Sequence, residues 1–141
     1  MEQYSSLSHS KWDCKYHVVF VPKDRKKQLY GKIREYLKQA LHELAHQRGC
    51  QIVEGYMAAD HVHMCISIPP KYAVSEIIGY LKDKNAIAVA RQFSGRKKNF
   101  SGERFWARGY AASTVGHDEK ETRDYIRRQE HQDHEEDEGR F

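Results

Sequence analysis

Residues 59–70, ADHVHMCISIPP, carry the pattern on which the fold assignment depends. Apolar and polar residues alternate from Val62 to Ile68, and a period of two is typical of a strand with one buried face. The alternation places His61 and His63 on one face, because successive side chains of a strand point to opposite sides. Two neutral imidazoles on one face can bind a single metal ion. The match is short, and two polar residues on the solvent face of a strand are the alternative interpretation.

Length and composition indicate one rather polar globular domain. The chain has 141 residues, of which 31% are charged and 39% hydrophobic, and this size suits a single core. No apolar run approaches the ~20 residues that cross a bilayer, and residues 1–6 lack the basic and apolar parts of a signal peptide. Cys14, Cys50 and Cys65 form no C-x-x-C pair, so we expect reduced thiols. These features favour a cytoplasmic protein with no membrane partner.

The charge is unevenly distributed along the chain. Residues 133–139, DHEEDEG, are acidic and predict a solvated, flexible tail at the end of a single domain of residues 1–141. Without the five carboxylates of this run, the formal net charge of +4 becomes about +9. A basic body favours a phosphate-rich partner, with nucleic acid first, although a basic surface can also serve solubility alone.

Hydrophobic periodicity predicts seven elements in the order strand, helix, strand, strand, helix, strand, helix. They lie at residues 12–21, 30–48, 51–58, 61–68, 74–93, 105–115 and about 119–131. The second and third strands are close enough in sequence to form a hairpin. The βαββαβ order is typical of an α+β, ferredoxin-like (RRM-like) fold, which is an antiparallel sheet with helices on one face. The last helix is additional to that fold.

The sheet should have one covered face and one open face. The apolar residues of strand 61–68 should pack against the two helices, so His61 and His63 should lie on the open face. His17, in strand 12–21, is expected to be a structural histidine because its neighbours are typical of a core. The predicted buried stripe of helix 74–93 consists of Val74, Ile77, Ile78, Leu81, Ala86, Ile87, Ala90 and Phe93.

The helix predicted at residues 119–131 has only two large apolar residues, Tyr125 and Ile126. Ordinary core packing cannot hold such a helix, so it would dock weakly, swing, or pack on another subunit. Tyr125 and Gln129 are four residues apart and share one helix face. The helix could cover the open face of the sheet, but Tyr125 could also be no more than its anchor.

Two groups of side chains suit a nucleic-acid partner. The cationic ones could contact phosphates: Lys23, Arg25, Lys26, Lys27, Arg91, Arg96, Lys97 and Lys98. The aromatic ones could stack on bases: Tyr80, Phe105, Trp106 and Tyr110. A solvated loop is an equally good interpretation of the basic residues, and tryptophan more often lies in a core.

Seven short motifs in one order resemble those of the single-tyrosine HUH transposases of the insertion-sequence-200 type. They are WDCKYHVVFVPK (12–23), ADHVHM (59–64), IPPK (68–71), GYLK (79–82), FWARGY (105–110), TVG (114–116) and YIRRQ (125–129). The resemblance covers about residues 8–132. Each motif is weak alone, but their shared order is specific and favours a functional role for the two histidines.

The resemblance implies an enzyme that cuts and rejoins single-stranded DNA. His61 and His63 correspond to metal ligands, Gln129 to the third ligand, and Tyr125 to the nucleophile that forms a 5′-phosphotyrosine. The implied cofactor is a divalent ion, Mg²⁺ or Mn²⁺. The implied partners are hairpin-bearing DNA ends and a second copy of the chain, to whose site Tyr125 could contribute in trans.

Other interpretations stay open at this point. A non-catalytic nucleic-acid-binding module would use the basic loops and aromatic residues without the histidine pair, Tyr125 and Gln129 together. A domesticated relative that nicks hairpins without moving an element would share every motif. Asp60 could orient a metal ligand or could simply be a turn residue.

Overall fold

A computed structural model of the chain describes residues 5–7, 10–93, 105–115, 124, 126 and 139–141, with residues 5–7, 10 and 11 described for the backbone only. The strands in these ranges are β1 (Ser5–Leu7), β2 (Ser10–Trp12), β3 (Lys15–Phe20), β4 (Gln51–Ala58), β5 (His61–Ser67) and β6 (Ala111–Val115). The helices are α1 (Gly31–Gln47) and α2 (Val74–Phe93), with a 3-10 turn at Lys23–Arg25. None of the helices in these ranges is long and apolar enough to cross a membrane.

Strands β3 to β6 form one antiparallel sheet in the order β4-β5-β3-β6. Helix α1 connects β3 to β4 and α2 connects β5 to β6, so the predicted βαββαβ order and the α+β class are confirmed. The predicted hairpin of β4 and β5 is also present. The first predicted strand is shorter than expected, because Trp12 belongs to β2, which pairs with β1 in a separate two-stranded sheet.

The two faces of the sheet bury different sets of residues. Val62, Met64 and Ile66 of β5 are fully buried in the main core, together with Leu41 of α1 and Leu81 of α2. The side chains that alternate with them point to the opposite face, so the predicted orientation of the histidine strand is confirmed. A second buried cluster on that face consists of Tyr56, Ala58, Cys65, Val115 and Ile126.

The buried face of α2 differs from the predicted stripe. Ile87 is 39% exposed and Phe93 is also exposed, whereas Asn85 and Val89 are buried. Asn85 and Val89 continue the four-residue series that begins at Leu81, and this series faces the core. The prediction for Ile87 was wrong because a polar residue, Asn85, occupies a core-facing position that the apolar pattern does not reveal. Phe93 continues the series at the end of the helix, where its ring packs against Tyr36 with centroids 5.6 Å apart but stays 38% exposed.

The last strand is also shorter than predicted. Strand β6 begins at Ala111, and residues 105–110 form an irregular connection in which Gly109 adopts a left-handed φ of +80°, a conformation that glycine tolerates. The Nζ of Lys82 in α2 donates to the carbonyl oxygens of Ala107 and Gly109, at 2.9 and 2.7 Å. The prediction of a strand from residue 105 was wrong because these carbonyls bond to a helix side chain.

The helix predicted at residues 119–131 is described only in part. Asp124 and Ile126 have helical backbone conformation, and Ile126 is fully buried in the cluster on the histidine face. This part of the chain therefore packs on its own sheet. Tyr125 and Gln129 lie outside the described residues.

Residues 139–141 lie along the outer edge of β4. Arg140 forms an antiparallel bridge with Tyr56, and the amide of Phe141 donates to the carbonyl of Gly55 at 3.0 Å. The sequence did not predict this contact. The rest of the acidic run, residues 133–138, lies outside the described residues, so its predicted flexibility stays a prediction.

Candidate metal and DNA site

Strand β5 places His61 and His63 side by side on the face of the sheet opposite the helices. Their ring centroids are 4.7 Å apart and their planes are tilted by 52°. The alternation predicted from the sequence produces this arrangement, because the residue between them, Val62, is buried in the main core. His61 is partly exposed, while His63 is 8% exposed. One ring is therefore accessible and the other is set deeper in the site.

His63 is held in its neutral form. Burial is the largest cause and the positive charges that His61 and His17 would carry add to it, so that the pKa of His63 falls to about 4. At neutral pH the ring therefore keeps a free lone pair, which a metal ligand requires. Its Nδ1 is buried and has no hydrogen-bond partner among the described residues. A buried polar atom of this kind calls for a physical explanation, and a bound ion is one.

His61 is oriented by its sequence neighbour. Its Nδ1 lies 2.8 Å from Oδ1 of Asp60, and because an ionised carboxylate can only accept, the imidazole nitrogen must be the donor. Burial raises the pKa of Asp60, but the hydrogen bond from His61 and the charges of His61 and Arg25 outweigh it and hold the pKa below its usual value. The Nε2 of His61 is consequently the nitrogen left for a ligand.

The structure adds a third imidazole, which sequence reasoning did not assign to the site. His17 of β3 lies on the same face, with its ring centroid 5.6 Å from that of His63. Burial lowers the pKa of His17, so it too is neutral near pH 7. The only sequence signal was that His17 alternates with the buried Val18 in a strand, but the strand register that brings it beside His63 is not visible in a sequence.

The donor set fits a divalent metal ion but is incomplete in the described part of the chain. Two neutral imidazoles are suitable nitrogen ligands. Within the described ranges, no group of three or more His, Cys, Asp and Glu residues could hold a metal ion. Gln129, the predicted third ligand, lies outside the described residues, and its role stays a prediction.

The segment that contains the predicted nucleophile is anchored on the same face. Ile126 shares a buried cluster with Tyr56, and Tyr56 is the direct cross-strand partner of His63. The residue that follows Tyr125 in sequence is therefore placed on the face that carries the histidine pair.

The basic loop after β3 is exposed beside this site. Lys23, Arg25, Lys26 and Lys27 are all exposed, as their predicted role in phosphate binding requires. Nη2 of Arg25 lies 3.4 Å from Oδ2 of Asp60, which brings the loop to the edge of the histidine pair. Arg91 on α2 is also exposed; residues 96–98 lie outside the described residues.

The aromatic residues divide into buried and accessible ones. Phe105 and Trp106 are buried and pack against each other with centroids 4.8 Å apart, so the hypothesis that they stack on bases is wrong. They are core residues because the segment before β6 folds back over Phe20, whose ring lies 4.7 Å from that of Trp106. Tyr110 is 39% exposed and stays available. Tyr80 is partly buried beneath the guanidinium of Arg48.

The chain is similar to transposases in sequence and in fold. A family profile described as "Transposase IS200 like" matches residues 10–129. The chain is 40% identical over 133 residues to the transposase for insertion sequence element IS200 of Salmonella typhimurium, which covers 94% of this chain and 88% of that protein.

Two solved structures share the fold. A Deinococcus radiodurans R1 protein assigned as a transposase superposes with a TM-score of 0.70 at 23% identity, over 89% of this chain and 97% of that one. A REP-associated tyrosine transposase bound to a REP hairpin superposes with a TM-score of 0.66 at 16% identity, over 91% of this chain and 73% of that one.

Proposed function

Since the chain belongs to the IS200-like transposase family, we propose that it cuts and rejoins single-stranded DNA through a covalent bond to Tyr125. The observation that supports this most is the burial of Ile126 on the face that carries His61 and His63. Docking of the residue next to Tyr125 on this face limits the distance that the phenol has to span. A module that only binds DNA would not need this arrangement.

In the proposed reaction, the phenolic oxygen of Tyr125 attacks the phosphorus of a phosphodiester. A bond forms between this oxygen and phosphorus, and the bond from phosphorus to the 3′ oxygen breaks. The phenol loses its proton, and the leaving 3′ oxygen gains one. The products are a 5′-phosphotyrosine and a free 3′-hydroxyl. Because the phosphodiester energy is kept in the covalent bond, a second 3′-hydroxyl can displace the tyrosine and rejoin the strand.

The proposed cofactor is Mg²⁺ or Mn²⁺, held by His61, His63 and Gln129. When bound, such an ion supplies polarisation of the scissile phosphate and eases the loss of a proton from a phenol whose ordinary pKa is about 10. The neutral state of His63 and the hydrogen bond that orients His61 support this assignment. Two imidazoles bind later transition metals more tightly, so the ion used in the cell would be set by availability.

The proposed DNA partner is a single strand that folds into a hairpin near the ends of an element. The exposed cations of residues 23–27 would hold its phosphates beside the histidine pair, and Tyr110 could stack on a base. A neighbour in fold is a tyrosine transposase bound to a hairpin, which supports the choice of DNA.

A gel assay for a covalent protein–DNA adduct tests the proposal. Labelled single strands from the sequences that flank the gene are incubated with Mg²⁺, with Mn²⁺ or with EDTA. We expect an adduct that needs the ion and is absent from Tyr125→Phe, while this variant still binds the strand. DNA binding without an adduct on any strand would support a binding module instead.

We also propose that the protein acts as a homodimer. Mixing Tyr125→Phe chains with His63→Ala chains tells which histidines Tyr125 serves. Restored cleavage in the mixture means that Tyr125 completes the partner's site, whereas mixed dimers without activity mean that it serves its own chain, where Ile126 is docked. Proteins that stay monomeric with DNA would overturn the dimer proposal.

A further inference from the structure

Two polar contacts in series join the exposed basic loop to the histidine pair. The guanidinium of Arg25 lies 3.4 Å from one carboxylate oxygen of Asp60, and the other oxygen accepts from Nδ1 of His61 at 2.8 Å. Each carboxylate oxygen therefore has its own partner. Arg25 is the exposed end of this series, since 63% of its side chain is accessible, while Asp60 and His61 are partly buried.

The backbone on both sides holds this arrangement in place. Asp24 and Arg25 both adopt left-handed φ angles, +60° and +52°, which are uncommon for residues with side chains and mark a constrained segment. The amide of Arg25 donates to the carbonyl of Pro22 at 2.9 Å. At the far end of the loop, the amide of Leu29 donates to the carbonyl of Ala59 at 3.0 Å. The loop is thus fastened to the β4–β5 turn, directly before Asp60.

The contact with Asp60 determines which nitrogen of His61 carries the proton. A neutral imidazole has one N–H and one lone pair. The carboxylate accepts the N–H at Nδ1, so the lone pair is at Nε2, and rotation of the ring would break the hydrogen bond. Partners of this kind orient metal-binding histidines and influence metal affinity.

We propose that Asp60 is a positioning residue that fixes the Nδ1–H tautomer and ring orientation of His61, and that Arg25 holds the carboxylate in place for this role. The part that concerns metal affinity rests on the proposed function, in which His61 and His63 bind the ion. The part that concerns the tautomer is a property of the metal-free protein and can be measured independently.

The first test is the tautomer of His61 in metal-free protein labelled with ¹⁵N-histidine. Long-range ¹H–¹⁵N spectra distinguish a protonated from an unprotonated ring nitrogen, and the signals of His61 are identified by their absence from His61→Gln. We expect a single Nδ1–H tautomer in the native protein and a mixture or the reverse in Asp60→Asn, with Asp60→Glu restoring part of the preference. Because the amide oxygen of asparagine can still accept from Nδ1–H, Asp60→Ala is measured as well, and the native tautomer in Asp60→Ala would show that Asp60 is only a turn residue.

The second test is the affinity for Mn²⁺, measured by titration and followed by electron paramagnetic resonance. We expect Asp60→Asn to weaken binding by about 10–100-fold, and Arg25→Ala to weaken it by a few-fold, on the order of what removal of one exposed ion pair allows. Lys84→Ala, which removes an exposed cation from α2, should leave the affinity unchanged. A changed tautomer with unchanged Mn²⁺ affinity would overturn the positioning role.

Two controls separate the possible failures. The midpoint of thermal unfolding of each variant in EDTA shows whether the β4–β5 turn is still folded. If the midpoint is lowered in Asp60→Asn but not in Asp60→Glu, the loss of Mn²⁺ affinity in Asp60→Asn is attributed to the turn. If His61→Ala and His63→Ala leave Mn²⁺ affinity unchanged, the proposed metal site fails, whereas the tautomer result for Asp60 is unaffected.

Discussion

Tyr56 of β4 and His63 of β5 are directly opposed in the antiparallel ladder, so that one side of the candidate site is built on a fully buried aromatic ring. Ile126 belongs to the same buried cluster as Tyr56. The position of Ile126 is therefore coupled through a small apolar cluster to the strand that carries the histidines.

Truncation of Ile126 should destabilise the protein although the surrounding sequence is mostly polar. Ile126→Ala removes a fully buried side chain and should lower the free energy of unfolding by about 2–4 kcal/mol. Ile87→Ala is a matched control, because Ile87 is exposed and should change the value by less than about 0.5 kcal/mol. Urea denaturation measures both. Equal effects of the two substitutions would contradict the packing of Ile126 on the sheet.

The metal-free protein should lose stability in mild acid because of His63. Its pKa is about 4 in the folded state and about 6.5 in the unfolded chain, so the unfolded state takes up the proton first as the pH falls. The free energy of unfolding therefore begins to fall near pH 6.5, is lower by about 2 kcal/mol at pH 5 and levels off below pH 4. Denaturation in EDTA across this range measures it. His63→Gln should reduce the slope of the free energy of unfolding against pH, and His46→Gln should not. Identical slopes for the native protein and His63→Gln would refute the assignment of this pH dependence to His63.

Much of the architecture could be predicted because the pattern is strong where one face is buried. Strand β4 and helix α2 have the predicted bounds, residues 51–58 and 74–93. The burial of Val62 and the pairing of His61 with His63 follow from period two. The α+β fold followed from the predicted order of strands and helices, and the family followed from short motifs in a fixed order.

The failures have specific physical causes. Asn85 is fully buried in α2, and no rule of periodicity places an amide at a core position. The strand predicted from residue 105 took no account of the bonds from Lys82 to the connecting loop. Phe105 was proposed to stack on bases but is buried, and Trp106 has the core position that was its alternative. His17 joined the site through the register of β3 against β5, which depends on pairing between distant segments.

Replacement of Gly55 should release residues 139–141 from the edge of β4. A Cβ at position 55 would lie 2.6–2.8 Å from three ring carbons of Phe141, so in Gly55→Ala the ring has to move and the hydrogen bond from the Phe141 amide to the Gly55 carbonyl should weaken. Amide hydrogen exchange at Phe141 should therefore become faster. Gly79→Ala is the control, because nothing lies within 4 Å of the added carbon. Unchanged protection in Gly55→Ala would argue against this edge contact.

The basic loop should dominate the salt dependence of binding to single-stranded DNA. Lys26 and Lys27 are exposed, and for single strands each phosphate that a cation neutralises contributes about 0.7 to the slope of log K against log salt concentration. The double variant Lys26→Glu, Lys27→Glu should lower the slope of log K against log salt concentration by about 0.7 for each phosphate that it no longer neutralises. Fluorescence anisotropy measures the binding constants. Lys84→Glu, which reverses an exposed charge on α2, should leave the slope nearly unchanged; equal reductions would indicate a general charge effect.

Lys82 should stabilise the connection between α2 and β6. Its ammonium group donates to the carbonyls of Ala107 and Gly109, and burial lowers its pKa while the charge of Asp83 opposes the shift. A charged donor contributes about 1.5–3 kcal/mol to a hydrogen bond, so Lys82→Met should lower the free energy of unfolding by about that amount.

Lys84→Met provides the comparison, because Lys84 is exposed on the same helix and its replacement should cost less than about 0.5 kcal/mol. The affected region can be located as well. Trp106 precedes Ala107 and is buried against Phe20, so loosening of the connection should shift tryptophan emission to longer wavelength in Lys82→Met before global unfolding. A loss of stability without any change in emission would mean that Lys82 acts elsewhere than on this segment.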